Sequence, residues 1–240
     1  MEKLRQILAS CGVDNIDTKL EIYEKYRDAI LNWNEKVNLT SITNLGEFEE
    51  KHFIDSLACI GSVEFLSART IIDIGSGGGF PGVPLAIAYP EKEFLLLDSS
   101  AKRMRIVSDI ADSIGISNVR TIHGRAEDAG RDETLRESFD LCVSRAVAAL
   151  PVLLEYCLPF VKIGGTFISY KGPGSDDEFE DGKKAVDVLG GKFSRELEMK
   201  DTHFSGGGSG AHKLFFFEKV SSTPASYPRS AGKPSKKPIR

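Results

Sequence analysis

The stretch TIIDIGSGGGFPG, residues 70–82, places five glycines directly behind an apolar run of strand type. Such turns let main chain approach a ligand with no Cβ in the way. Dinucleotides, nucleoside triphosphates and S-adenosylmethionine are all held by turns of this composition. The triphosphate reading fails, because no Gly-Lys-Ser/Thr follows. Gly77, Gly79 and Gly82 match a dinucleotide G-x-G-x-x-G, but that frame sits late. Counted from Gly75, the first residue after the strand, the third glycine's place is taken by Phe80. The frame Asp73-x-Gly75-x-Gly77-x-Gly79 suits S-adenosylmethionine better. That ligand carries no phosphate, but it has an ammonium and a sulfonium that a carboxylate favours, and a ribose with two hydroxyls. The competing reading is that these glycines only shape a tight strand–helix turn.

Further anchors stand at the ends of the strands that follow. EFLLLDSS ends on Asp98, about 20 residues past the glycines, where an acid takes hydrogen bonds from ribose hydroxyls. Dinucleotide enzymes use the same device, and Asp98 could equally cap the helix AKRMRIVSDIADSIG, unless Ser99 or Ser100 does so. In HGRAED, Ala126 and Glu127 stand where a main-chain N–H and a carboxylate hold adenine, or simply open a helix whose dipole favours acids. The fourth strand runs into FDLCVSRAVAALPVL. That loop has neither the Asn-Pro-Pro-aromatic run of exocyclic-amine methylation nor a loop cysteine for attack on a pyrimidine ring. Cys142 falls within the strand, and the loop offers Ser144 and Arg145. A site without an evident base fits methyl transfer to an atom with a free lone pair, such as guanine N7, where positioning and desolvation suffice. Arginine there serves a phosphate, guanine O6 or a cofactor carboxylate.

Elements that could position these residues are visible in the periodicity. Residues 1–60 read as helical, with Tyr23, Tyr26, Ile30 and Trp33 on one face. From residue 70, the strand candidates TIIDI, EFLLLD, VRTIH, FDLCVS and TFISYK alternate with helical segments, which implies a parallel sheet covered on both faces. After SYKG the alternation weakens. RELEMKDTHF and HKLFFFEKV, joined by SGGGSGA, read as a closing β-hairpin. With 41% apolar and 28% charged residues the chain can bury a packed core. No apolar run approaches the ~20 residues of a membrane span. The opening MEKLRQILASCG has no continuous apolar segment of signal-peptide type. The four scattered cysteines form no metal-ligand pattern, so a reducing cytoplasm and no metal are expected.

The net charge of −4 hides an asymmetry. Residues 221–240 hold Arg229, Lys233, Lys236, Lys237 and Arg240 and no acid, so the tail carries +5 and the rest −9. Four of the ten prolines fall there, which predicts an extended segment, either solvated or lying on phosphates.

Taken together, NWNEKVNLTSI, KHFIDSL, DIGSGGGFPGVPLAI, LLLDSSAKR, GRAED, VSRAVA, YKGP and YPRSAGKPSKKP resemble the RsmG family, also called glucose-inhibited division protein B, over nearly the whole chain. The resemblance implies a bacterial 16S rRNA (guanine-N7) methyltransferase that uses S-adenosylmethionine. The implied fold is α/β, a Rossmann-like class I methyltransferase with a mostly parallel seven-stranded sheet, a C-terminal β-hairpin and N-terminal helices. Its expected parts are a helical region 1–65, a cofactor-binding domain 66–220 and a basic tail 221–240. The resemblance implies cofactor contacts from Gly75, Phe80, Ala126, Glu127 and Arg145, to which the spacing adds Gly77 and Asp98, and it places Arg125 in the active site. The implied partner is 16S rRNA of the small ribosomal subunit, and nothing demands more than a monomer. His52 and Asp55 of KHFIDSL either wall the target-base pocket or bond locally. Asn38 and Thr40 suit a turn, and Lys171 a phosphate contact. Two rival readings are a catalytically silent ribosome-binding or assembly module and an NAD-dependent oxidoreductase.

Overall fold

Residues 1–172, 176–198 and 213–239 are described by a computed structural model. The N-terminal helices α1 (Glu2–Ser10) and α2 (Ile16–Asn34) lead to a short α3 (Leu45–Phe48), which widens into a π-type turn at Glu49–Ile54. A last short helix, α4 (Val63–Ser67), precedes the sheet. Tyr23, Tyr26 and Ile30 are buried as the periodicity requires, with Trp33 partly covered at the edge.

The alternation then runs β1 (Thr70–Ile74), α5 (Gly82–Ala88), β2 (Glu93–Asp98), α6 (Ala101–Ile114), β3 (Val119–His123), α7 (Ala126–Ala129), β4 (Phe139–Arg145), α8 (Leu150–Cys157) and β5 (Val161–Lys171). It closes with α9 (Asp176–Val188), β6 (Gly191–Glu198), β7 (Lys213–Lys219) and α10 (Lys233–Lys236). The seven strands lie in the order β3-β2-β1-β4-β5-β7-β6. Strands β1 to β5 are parallel, and β7 inserts antiparallel between β5 and β6. The expected hairpin is thus present as β6 and β7, while its SGGGSGA connection lies outside the described residues. Helix α9 is not anticipated by the sequence pattern. Its sequence, DDEFEDGKKAVDV, is mostly charged; Ala185, Val186 and nearby Leu189 are buried in the core, and Phe179 and Val188 pack against it partly covered.

Alternate residues of each central strand enter opposite cores, as the period of a strand demands. Ile71 and Leu96 join the core under α2, α5 and α6, whereas Ile72 and Leu97 join the core under α8 and α9. The chain reverses direction across β1, whose neighbours are β2 on one side and β4 on the other. Open α/β sheets bind ligands at such a switch point, outside the carboxyl ends of the strands.

Helix α2 is tied to the glycine turn. The Tyr26 hydroxyl donates to the Gly78 carbonyl at 2.7 Å, and the Tyr23 hydroxyl to the Pro84 carbonyl at 2.6 Å. A Cβ on Gly79 (φ +87°) would come within 2.2 Å of the Tyr26 hydroxyl oxygen. Glycine at that position therefore serves the packing of α2.

The tail departs from the extended segment that its prolines suggest. Tyr227 packs partly buried on the α8 side, Pro228 and Pro234 are buried, and Lys233–Lys236 make one helical turn. Pro234 falls in the first turn of that helix, where a missing N–H costs nothing, so proline content alone does not exclude it. Arg229 is not free for phosphate: its guanidinium makes a two-pronged pair with Glu155, whose side chain is fully buried. Arg240 lies outside the described residues.

Candidate functional site: two clefts that share one wall

The first cleft, of about 300 Å³, opens at the ends of β1, β2 and β3. Gly75 (φ +75°) carries the chain along its floor in the left-handed region. Side chains are disfavoured there. Gly77 (φ +57°), expected to touch the cofactor, does not line the cleft and lies behind Asp98. The Gly75 N–H donates to the Leu97 carbonyl at 2.8 Å, and the Gly77 N–H to Asp98 Oδ2 at 2.9 Å. Asp98 Oδ1 accepts from the Ser100 N–H at 2.8 Å. The α6 cap is Ser100, whose hydroxyl accepts the Arg103 N–H at 3.3 Å, so Asp98 is released from capping. Each Asp98 oxygen accepts one of these bonds, and a carboxylate has about four acceptor positions. Capacity remains for two hydroxyl donors on a side chain that lines the cleft.

Arg125, Ala126 and Glu127 form the far wall with Tyr156. Ala126 occupies the first position of α7, where helix geometry leaves the N–H without an intrahelical acceptor. Glu127 is buried, and its Oε1 accepts the Gly232 N–H from the tail at 2.9 Å. Arg125 is exposed at the mouth. Arg103, Tyr156, Ala146 and Val147 also line this cleft, although the sequence motifs give them no role. Arg103 stands in the LLLDSSAKR stretch and is legible there. Tyr156 is brought in by α8 from far along the chain.

Asp73, the acid of the glycine frame, does not line the cleft. It faces α5, where its Oδ2 accepts the Gly82 N–H at 2.8 Å. Its Oδ1 is buried without a hydrogen-bond partner. Burial pushes the Asp73 carboxyl up to about 7, against the Gly82 N–H and the Arg145 charge, which favour ionisation.

Phe80 and Arg145 do not line the first cleft either. They meet beneath the second, an opening of about 580 Å³ at the ends of β4 and β5. Arg145 Nη1 donates to Asp55 Oδ2 at 2.6 Å and to the Lys51 carbonyl at 2.8 Å. Its Nη2 lies 3.3 Å from His52 Nδ1. A guanidinium cannot accept, so Nδ1 must be the acceptor and Nε2 carries the proton. That proton points to Thr40 Oγ1, 2.6 Å away. The His52 ring stacks on Phe80 at 4.2 Å between centroids. Burial, and then the Arg145 charge, lower the His52 pKa to about 3 despite the nearby Asp55. His52 is therefore both a wall of the cleft and a locally bonded neutral ring. Thr40 serves the turn through the Ile42 N–H at 3.0 Å, but the amide side chain that holds this turn is Asn34.

Lys171, expected to meet phosphate, is instead bonded to Glu178 Oε2 at 2.6 Å and to the Ala148 carbonyl at 3.0 Å. Glu178 also accepts the Leu150 N–H at 3.0 Å, so this pair pins the β4–α8 loop. Ala146 and Val147 of that loop line both clefts. Ala146 holds φ +58°. That conformation costs roughly 1–2 kcal/mol for a residue with a Cβ. Val147 leans on Gly75, where an added Cβ would come within 2.3 Å of its Cγ2. Among the described residues, no group of three or more His, Cys, Asp or Glu could hold a metal ion, and no helix is long and apolar enough to cross a membrane.

Residues 19–204 match the family model GidB, rRNA small subunit methyltransferase G. The chain is 46% identical over 224 residues to the ribosomal RNA small subunit methyltransferase G of Alkaliphilus metalliredigens (strain QYMF), covering 93% of this chain and 92% of that protein. It is 42% identical over 239 residues to the protein of the same name from Clostridium perfringens (strain 13 / Type A), covering 99% and 98%. In fold it is similar to M. jannaschii TYW2 in complex with AdoMet, with a TM-score of 0.54, 18% identity and coverage of 75% and 78%. It is similar to cofactor-bound Rv0187 from MTB at a TM-score of 0.55, 16% identity and coverage of 82% and 90%. The β3-β2-β1-β4-β5-β7-β6 sheet is thus that of a class I S-adenosylmethionine-dependent methyltransferase, and the chain belongs to the rRNA small subunit methyltransferase G family.

Proposed function

We propose that this enzyme transfers a methyl group to N7 of one guanine in 16S rRNA, with S-adenosylmethionine in the first cleft and the extruded base in the second. The observation that carries this reading is the Ala146–Val147 wall common to both openings. A donor and an acceptor on its two sides would meet over a two-residue ledge.

The residues of the first cleft fit the cofactor. Asp98 has acceptor capacity left for the ribose hydroxyls and is held from behind by the Gly77 N–H, Gly75 presents bare main chain, and the Ala126 N–H with the Glu127 carboxylate suits adenine. Arg125 at the mouth would meet the nucleotide's phosphate, and Arg103 stands ready for a carboxylate. Bound S-adenosylmethionine supplies an electrophilic methyl group on sulfur. Phe80 and Arg145 are assigned here to the acceptor side. Phe80 backs the His52 ring, and the Asp55 carboxylate neutralises Arg145, so that unbalanced positive charge does not face a base that itself becomes cationic. Guanine N7 already has a free lone pair, so no group need remove a proton. His52, neutral from well below pH 6 upward, suits a wall and not an acid. Both clefts are complete within one chain, which suits a monomer, and the proposed substrate puts the enzyme in the cytoplasm.

Mapping of 7-methylguanosine in small-subunit RNA from a deletion strain, with and without the gene restored, tests the reading. One methylated guanine lost and regained is the expected outcome. An unchanged methylation pattern, with the purified protein inert toward naked RNA and small subunits alike, would leave only a binding module.

A further inference from the structure

The C-terminal segment lies against the back of the first cleft, and its contacts converge on two of that cleft's lining residues. The Gly232 N–H donates to Glu127 Oε1 at 2.9 Å, and the Ser235 hydroxyl lies 2.9 Å from the Tyr156 hydroxyl. Upstream, the segment is clamped. The Arg229 N–H and Nε both reach Glu155 Oε1, at 2.7 and 3.0 Å, and Nη2 reaches Oε2 at 2.6 Å. Arg131 Nε donates to the Pro228 carbonyl and Arg136 Nη1 to the Tyr227 carbonyl, each at 2.9 Å. Glu155 and Tyr156 are consecutive residues of α8, so the clamp and the cleft wall share one helical turn.

We propose that residues 227–235 are a strap belonging to the cofactor site, in which Gly232 and Ser235 position Glu127 and Tyr156 for the ligand's adenine. The proposal rests on the reading that the first cleft binds S-adenosylmethionine. Three observations carry it. Glu127 is buried, and a carboxylate in that position is oriented by the donors it meets; the Gly232 N–H is one that comes from outside the cleft. Gly232 holds φ +80°. That conformation aims its N–H at Glu127 at little cost only because glycine lacks a Cβ. The anchor, Arg229 with Glu155, is separate from the delivery, Gly232 with Ser235, so the strap can be cut with the Arg229–Glu155 pair left in place. The strap also carries Lys233 and Lys236, with Lys237 next to them, all exposed. A polyanion bound there would act on the same segment that holds Glu127. Gly232 and Ser235 are thus positioning residues for a ligand that they do not touch.

The test is calorimetry with S-adenosylhomocysteine on the full chain, a chain ending at Ser230, full-length Gly232→Ala and full-length Glu127→Gln, and on the truncation and Gly232→Ala each combined with Glu127→Gln. Asp98→Ala serves as a control for the cleft itself. The chain ending at Ser230 keeps Arg229 on Glu155, so its ligand-free melting temperature should stay close to that of wild type. Its affinity should fall about tenfold, the scale of one oriented hydrogen bond to a charged group. Gly232→Ala has open space for its methyl group and should lose a smaller factor through backbone strain alone. Placed in the Glu127→Gln background, truncation should cost clearly less than about tenfold, because the Gly232 arm acts through the carboxylate already removed and only the Ser235 bond to Tyr156 is left to lose. A tail that lowers stability and affinity equally in both backgrounds is merely structural, and that result overturns the strap. Unchanged affinity in the truncated chain, with Asp98→Ala still weakening binding, also overturns the strap and leaves the cleft assignment standing. Full affinity in Asp98→Ala overturns the cleft assignment and the strap with it. Should the truncated chain not fold, Gly232→Ala and its combination with Glu127→Gln decide the question alone.

Discussion

The first cleft is built from bare backbone and single carboxylates at strand ends, whereas the second is built from charged side chains that neutralise one another in pairs. Gly75, Gly77 and Asp98 come from one short span of chain, and their bonds are N–H groups meeting carbonyls or a carboxylate. Arg145 with Asp55 and Lys171 with Glu178 are ion pairs within the second cleft, the former joining segments far apart in sequence, and Lys51 and Lys213, which also line it, pair with Glu47 and Glu198. A backbone cradle loses function gradually as individual donors are removed. A partly buried ion pair fails abruptly when halved, because the remaining charge stays desolvated. The chemistry of the two proposed occupants matches this division. A flexible cofactor is held by many modest bonds, and a planar base is held by rigid walls.

The largest effect that would sharpen the contrast is expected at Arg145. Arg145→Ala leaves Asp55 without its guanidinium and His52 Nδ1 without its donor. Single-turnover methyl transfer should fall by ~100-fold or more, with S-adenosylhomocysteine affinity changed less than about threefold. Asp98→Ala should do the reverse, weakening cofactor binding by ~10-fold or more with RNA affinity unchanged. If either variant lost both functions equally, the division between the clefts would collapse.

A smaller effect concerns the basic tail. Arg229 is bound to Glu155, so only Lys233, Lys236 and Lys237 of the tail's described basic residues remain for phosphate, not the five charges suggested by composition. Changing the three to serine should reduce the salt-dependence slope of RNA binding by roughly 2 to 3, at about 0.7–0.9 per contact. Equal slopes would make those lysines solvated bystanders.

The pH dependence separates the regions more finely. With RNA and cofactor saturating, the single-turnover rate should be flat between about pH 6 and 8, since His52 titrates far below that range and N7 needs no base. A unit-slope acid limb that survives Asp73→Asn would show a base at work in the second cleft. Asp73 itself acts on stability. Its folded pKa of about 7 exceeds the ordinary value of 3.8, so the folded state binds the extra proton between those limits. Stability relative to Asp73→Asn is therefore greatest below about pH 4, declines as the pH rises to about 7, and levels off above. Thermal denaturation of both ligand-free proteins across that range checks the sign. A wild-type protein that gains on Asp73→Asn as the pH rises would refute it.

The strands TIIDI, EFLLLD and VRTIH have the bounds that their alternation implied, because each is a short stretch of strand-forming residues closed by turn residues, the first two of them apolar runs. The acid at the end of β2 and the glycines after β1 were legible for the same reason, since motif and geometry lie within one strand–turn unit. Helix α9 was not legible, because its few core residues are spaced among charges. Which cleft Phe80 and Arg145 adjoin was not legible either. These residues adjoin Gly79 and Ser144 in sequence, yet only the packing of the π-type turn at Glu49–Ile54 gives Arg145 its partners and Phe80 its stacked ring. The tail shows the limit most plainly. Its composition set its charge and its prolines, but a buried carboxylate on α8, Glu155, decided where it lies. Local pattern determined which elements form and which strand ends carry polar groups, since hydrogen bonding and burial within one element depend on neighbours in the chain. Which of those groups face each other was left to tertiary structure, because a charge such as Glu155 is buried only where a distant partner such as Arg229 comes to meet it.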